Sequence, residues 1–186
     1  MSDITLQKTT RELYVTALEE LSAKHEIKNK FAAPRIEKVC LNMGVGRAIA
    51  DGNILNVVAD HLSQLAGQKS TITLAKKAVS NFRSRQGNKI GCRVTLRGQR
   101  MWGFLDRMVN LAIPRIKDFR GLPAKSGFDK QGSFSMGLKE QALFPEVTLD
   151  RLDHNQGLHV NIVIRNTTPD MSYELLKGIG MPFRDR

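Results

Sequence analysis

The chain has 186 residues, 41% of them hydrophobic and 25% charged, ordinary globular values that predict folding without a disulfide or metal staple. Its formal charge of +11 is concentrated: residues 61–130 hold 15 Lys and Arg against three Asp (Asp106, Asp118, Asp129), the rest holds 14 basic against 15 acidic, and residues 61–105 contain no acid. No apolar run approaches the ~20 residues that span a bilayer, and the first residues lack a signal or transit pattern, which predicts a cytoplasmic protein without a membrane partner.

In chain order, residues 9–24 read as a helix capped by Thr9 or Thr10, with Leu13, Tyr14, Ala17, Leu18 and Leu21 as its apolar stripe. After Pro34, residues 36–43 alternate as a strand, with Val39, Leu41 and Met43 facing a core and Lys38 and Asn42 facing away. Gly44-Val45-Gly46 ends it. A second helix starts at Asp51 or Asn53, carries Ile54, Val58, Leu62 and Leu65, and stops at Gly67. A short strand over 71–74 leads into a basic loop over 75–87. The clearest strand follows over 91–97, with Cys92, Val94 and Leu96 on one side and Arg93, Thr95 and Arg97 on the other. Residues 99–112 predict a third helix, closed or kinked by Pro114. Residues 118–132 read as a long exposed loop. Strands alternate around Phe134, Met136 and Leu138 and around Leu158, Val160, Ile162 and Ile164, and a last helix covers 169–177. Several strands follow one another without an intervening helix, so the fold class is α+β with a mostly antiparallel sheet and helices on one face. No repeat or linker divides the chain, which reads as one domain over 1–186 with a short helical segment, 1–30, ahead of the α+β core.

Catalytic and metal signatures are not found. His25, His61, His154 and His159 have no ligand spacing with one another or with Cys40 and Cys92, and read as solvated positions. The two thiols read as small buried hydrophobes in a reducing compartment. Gly44-Val45-Gly46 lies between strand and helix, but Ile49 occupies the third glycine position of a dinucleotide fingerprint. A tight turn, a phosphate cradle and a site of close backbone approach to RNA remain three readings of these glycines. No cofactor is expected.

The basic segment carries the strongest signal. A sheet with one apolar face on helices and one face bearing Lys38, Asn42, Arg93, Thr95 and Arg97 is a platform for a phosphate backbone. The loop between strands, with Lys76, Lys77, Asn81, Phe82, Arg83 and Arg85, reads as a projecting arm whose crowded cations predict mobility in isolation. Phe82 either stacks on a base or plugs the protein's own core. With the cations on strands and a loop, and no helix-turn-helix, zinc-finger or basic-zipper pattern, structured RNA is a better partner than DNA.

The motifs Leu41-Asn42-Met43-Gly44-Val45-Gly46, Ala66-Gly67-Gln68-Lys69, Ala75-Lys76-Lys77-Ala78, Gly91-Cys92-Arg93-Val94-Thr95-Leu96-Arg97-Gly98, Pro114-Arg115-Ile116, Asp118-Phe119-Arg120-Gly121-Leu122, Phe144-Pro145-Glu146 and Gly180-Met181-Pro182-Phe183-Arg184 occur in order from about Leu13 to Arg184. In this the chain resembles the bacterial-type large-subunit ribosomal protein numbered five, which binds 5S ribosomal RNA. The resemblance implies a non-enzymatic constituent of the central protuberance, among neighbouring proteins there. It implies that Lys38, Asn42, Gly44, Gly46, Gln68, Lys69, Arg93, Thr95 and Arg97 contact 5S rRNA, and that the arm reaches large-subunit rRNA and peptidyl-site tRNA. Arg120, Lys125, Phe128 and Lys130 would face a small-subunit head protein across an intersubunit bridge. A free-standing RNA chaperone and an RNA-acting enzyme with a nucleotide at Gly44–Gly46 are the alternatives.

Overall fold

The computed structural model describes residues 9–49, 52–124, 126–140, 143–146 and 156–184. The expected helix cap at Asp51 and the residues Lys125 and His154 lie outside them. Helix α1 (Thr10–Lys24) begins in a capping box: the Thr9 hydroxyl accepts from the Glu12 amide while the Glu12 carboxylate accepts from the Thr9 amide. Strand β1 (Arg35–Gly44) follows, then a 3₁₀ turn over Gly46–Ile49 and helix α2 (Gly52–Ala66). Strands β2 (Thr71–Leu74) and β3 (Lys89–Leu96) flank the basic arm, and α3 (Gly98–Arg107) starts directly after β3. Strands β4 (Phe134–Leu138) and β5 (Leu158–Arg165) and helix α4 (Pro169–Gly178) complete the order. Helices α1, α2 and α4 run close to their expected spans.

The sheet order is β2-β3-β1-β5-β4, and every neighbouring pair is antiparallel. The α+β class and the antiparallel sheet are therefore as expected. Val39, Leu41, Met43, Val94, Leu96, Phe134, Met136, Val160, Ile162 and Ile164 are buried together with Leu21, Leu55, Leu62, Phe104, Leu105, Leu175 and Leu176 from the four helices. One apolar sheet face thus carries all the helices, and the other face is left open.

Four local readings change. His61 is buried, not solvated: it stands three residues after Val58 and four before Leu65, so it widens the buried stripe of α2. Cys92 is buried, which pushes its thiol up to about 11, but Cys40 lies on the open face, half-buried, with its Sγ 3.9 Å from the Thr95 hydroxyl. The third helix does not run regularly to residue 112. It passes into a π-helical turn over Met108–Ala112 and a 3₁₀ turn over Ile113–Arg115, which buries Met108 and Val109 and leaves Leu111 exposed. The stretch 118–132 is not wholly exposed. Leu122 is buried and bridges Phe183, while Phe128 packs on Phe134, Tyr173 and Phe183.

Candidate nucleic-acid interface

Antiparallel pairing lines up the outward residues of neighbouring strands. Thr71 opposes Arg93, Arg93 opposes Asn42, Asn42 opposes His159, and His159 opposes Gly137. The next row runs Thr95, Cys40, Asn161 and Ser135. Arg93, Thr95, His159 and Ser135 are exposed, while Asn42 and Asn161 are half-buried. The result is a continuous polar surface, with Arg93 as its cation among several hydrogen-bonding groups, backed by the core. Lys38, Asn42, Arg93, Thr95 and Arg97 share this face as alternation requires. Gln68 lies at the β2 edge, where its side-chain carbonyl accepts from Arg100 at 3.2 Å, and Lys69 is exposed beside it.

Alternation along β1 and β3 alone predicts the first part of this face. Strands β5 and β4 extend it by His159, Asn161, Arg165 and Ser135, on the far side of β1. The alternation of 158–165 carried that signal, since its outward residues are all polar except Val163.

Strict alternation also places Glu37 inside, and there the structure differs. A bulge lies between Ile36 and Lys38 in the β1–β5 ladder, so Ile36 and Val39 both face the core while Glu37 and Lys38 both turn out. The Glu37 carboxylate accepts from Arg97 at 2.9 Å and pairs with Arg165 through its other oxygen. The hydrogen bond from Arg97 first, and then the Arg165 and Lys38 charges, hold the Glu37 carboxyl below its ordinary value. Arg97 is thus a held guanidinium, not a free one.

Two of the three acids within the basic region, Asp106 and Asp129, are engaged elsewhere. Asp106 accepts from the amide and hydroxyl of Thr10 at 3.1 and 2.8 Å, fastening α1 to α3. Asp129 accepts from the amides of Gln131 and Ser133 at 2.9 and 2.7 Å and shapes its own turn. Neither sits on the open face.

Gly44 and Gly46 are exposed. Neither has a positive φ, and a Cβ added at either would meet nothing within 4 Å. A tight 3₁₀ turn does follow the strand over Gly46–Ile49, but without a positive φ it does not require glycine. A phosphate cradle at a helix N-terminus is not formed either, because Gly46 opens a four-residue 3₁₀ turn and α2 starts only at Gly52.

The arm is a second, smaller hairpin. Ala75 and Asn88 bond at 2.8 Å, Val79 and Ser84 exchange two amide bonds at 3.0 and 3.2 Å, and Ser80–Phe82 makes a 3₁₀ turn closed by Arg83 at φ +50°. Phe82 sits at the tip with 74% of its surface exposed, so the core-plug reading fails. Lys76, Lys77, Asn81, Arg83 and Arg85 are exposed around it. In the 118–132 stretch Arg120 and Lys130 are exposed, whereas Phe128 fixes the loop from within.

Among the described residues no group of three or more His, Cys, Asp or Glu is placed to hold a metal ion, and no helix is long and apolar enough to cross a membrane.

Two family models match the chain in order: Ribosomal protein L5 over residues 29–85, and the C-terminus model of the same ribosomal family over residues 89–183. Curated relatives match nearly end to end, and each bears the description large ribosomal subunit protein uL5. That of Magnetococcus marinus is 47% identical over 90% of this chain and 90% of its own length. That of Geobacter sulfurreducens is 46% identical over 94% and 97%, and that of Brachyspira hyodysenteriae 45% over 85% and 84%. At this identity, with both models matched in chain order and the relatives covered almost completely, the chain belongs to the uL5 family of large ribosomal subunit proteins.

Proposed function

We propose that the open sheet face binds 5S rRNA and so helps to attach that RNA to the central protuberance of the large subunit. As a uL5 family member the chain is a large-subunit ribosomal protein, a constituent of a ribonucleoprotein and not an enzyme, and its place is the cytoplasmic ribosome. The observation that carries the 5S assignment is the open face itself. Its rows of Arg93, Asn42 and His159 and of Thr95 and Asn161 combine charge with hydrogen-bonding capacity across a rigid sheet. Phosphates need cations and backbone-shaped surfaces, and specificity needs polar groups held still. Gly44 and Gly46 add support: no internal contact or dihedral asks for glycine there, and a partner's backbone approaching the sheet end does.

The arm, with Phe82 exposed among Lys76, Lys77, Asn81, Arg83 and Arg85, suits large-subunit rRNA and the peptidyl-site tRNA. Arg120 and Lys130, with Lys125, suit the small-subunit head protein of an intersubunit bridge, while Phe128 holds that loop in shape.

Filter binding of 5S rRNA over a salt series tests the platform. Each neutralised phosphate adds about 0.7–0.9 to the slope of log affinity against log salt. Arg93→Ala is expected to weaken binding and reduce the slope by about 1. An unchanged affinity and slope would overturn the assignment.

A further inference from the structure

At the opposite end of β1 from the arm, one loop joins an exposed aromatic ring to a group of cations. Phe31 is 89% exposed, the most exposed large hydrophobic among the described residues. Its backbone, by contrast, is tied on both sides. The Phe31 amide donates to the Asn29 side chain at 2.9 Å, the Ala32 amide donates to the Asn29 carbonyl at 3.0 Å, and the Asn166 side-chain amide donates to the Phe31 carbonyl at 2.9 Å. Asn166 itself holds φ +55° to reach it. A ring left in water on an anchored backbone is the arrangement of a stacking platform, not of a frayed loop.

The surroundings decide the partner. Lys28 and Lys30 are exposed on either side of Asn29. Arg35 lies directly opposite Arg165 in the β1–β5 ladder, and both are exposed. Arg165 and Arg97 converge on Glu37, whose side chain keeps 16% of its surface. The carboxylate fixes two guanidiniums from two different strands, and Arg35 and Lys38 leave the group with a clear cationic excess. An aromatic ring four residues before Arg35, on a loop tied to the end of β5 through Asn166, brings a π-face for a base and guanidinium donors for its flanking phosphates to one corner. Protein–protein interfaces are depleted of Lys, so a ring flanked by the exposed Lys28 and Lys30 favours RNA over a protein partner.

We propose that this corner, where β1 begins and β5 ends, is a second RNA-contact site that takes one unpaired nucleotide. The base stacks on Phe31, and the flanking phosphates meet Arg35, Arg165 and the Lys28 and Lys30 ammonium groups. Glu37 acts as a positioning residue that holds Arg97 and Arg165 in place. The proposal rests on the open face being turned toward RNA and extends it beyond the platform residues. β1 spans about 30 Å at 3.3 Å per residue, so the corner and the arm engage different parts of an RNA.

The test uses the full chain carrying Phe82→Ala, so that the arm cannot stack, and a uridine hexanucleotide bearing 4-thiouridine. Photocrosslinks are expected on the segment that contains Phe31. Phe31→Ala is expected to raise the dissociation constant about tenfold, the scale of one lost stacking contact, while Phe31→Trp retains binding and shows quenched indole emission. Unchanged affinity in Phe31→Ala, or crosslinks confined to other segments, would overturn the corner. Parallel titrations with 5S rRNA separate it from the platform. Weakening by Arg93→Ala with a silent Phe31→Ala leaves the platform and removes the corner. Hexanucleotide binding sensitive to Phe31→Ala in a protein that does not bind 5S rRNA retains the corner and removes the platform.

Discussion

Two glycines that face each other across the β1–β3 pair have two different physical reasons, and substitution separates them. A Cβ at Gly91 would lie 2.6 Å from the Met43 carbonyl oxygen and 3.1 Å from the Thr73 hydroxyl, so the backbone of β1 itself occupies the space. Gly91→Ala is expected to destabilise the protein by about 1–3 kcal/mol, as overpacking of a fixed neighbour does. Its ladder partner Gly44 faces open space, and Gly44→Ala is expected to stay within about 0.5 kcal/mol of the parent while weakening 5S rRNA binding. Urea unfolding of both variants beside one RNA titration reads the difference; a stable Gly91→Ala or an unfolded Gly44→Ala would refute it. Glu37 offers a titration at the same scale. Its ordinary value of 4.5 is lowered by Arg97 first, then by Arg165 and Lys38. The folded value lies below the unfolded one, so its stabilising share is present above the unfolded value and is lost as pH falls through the folded one. Carboxyl NMR is expected to show Glu37 titrating below an ordinary glutamate and moving back up in Arg97→Ala. No movement would mean that the pair does not hold in solution.

Elements pack as closely as their smallest residues permit, and α1 against α4 is the clearest instance. A Cβ at Gly178 would fall 2.5 Å from the Ala17 Cβ, and the same contact is framed by Lys24 and His25 around Glu174. Gly178→Ala is expected to cost about 1–3 kcal/mol by forcing the two helices apart. An Ala17→Gly background should cut that cost, and equal costs in both backgrounds would show that the clash is not the cause. The strands and helices themselves were legible in the sequence because alternation and 3.6-residue stripes depend only on neighbours along the chain. What alternation cannot give is an inserted residue. The bulge at Glu37 and the π-helical turn at Met108–Ala112 each shift the pattern by one, so Glu37 turns outward where strict alternation places it inside, and Leu111 is left exposed. Strand order was equally hidden, because nothing local to 158–165 says that β5 lies against the free side of β1. That is why Arg165 and Asn161 were missing from the candidate face while Arg93 and Thr95 were found.

At the scale of the molecule, the two matched segments share one sheet. The first, 29–85, contributes β1 and β2; the second, 89–183, contributes β3, β4 and β5. In the sheet the order is β2-β3-β1-β5-β4, so β1 lies between two strands of the second segment and β3 between two strands of the first. Removing β1 would leave β3 and β5 with unpaired edges and strip Val39, Leu41 and Met43 from the centre of the core. Neither segment carries all its strands as neighbours in the sheet, whereas an independent folding unit holds its own contiguous core. We therefore propose that the chain unfolds as one cooperative unit. Trp102, the single tryptophan, packs on Tyr14 with ring centroids 4.8 Å apart, so its emission reports the α1–α3 junction, whereas far-UV circular dichroism reports helices throughout. The two urea transitions are expected to coincide in midpoint and slope. Separate transitions would mean that α1 and α3 part before the interleaved sheet does, and the sheet alone would then be the cooperative body that holds the open-face rows in register.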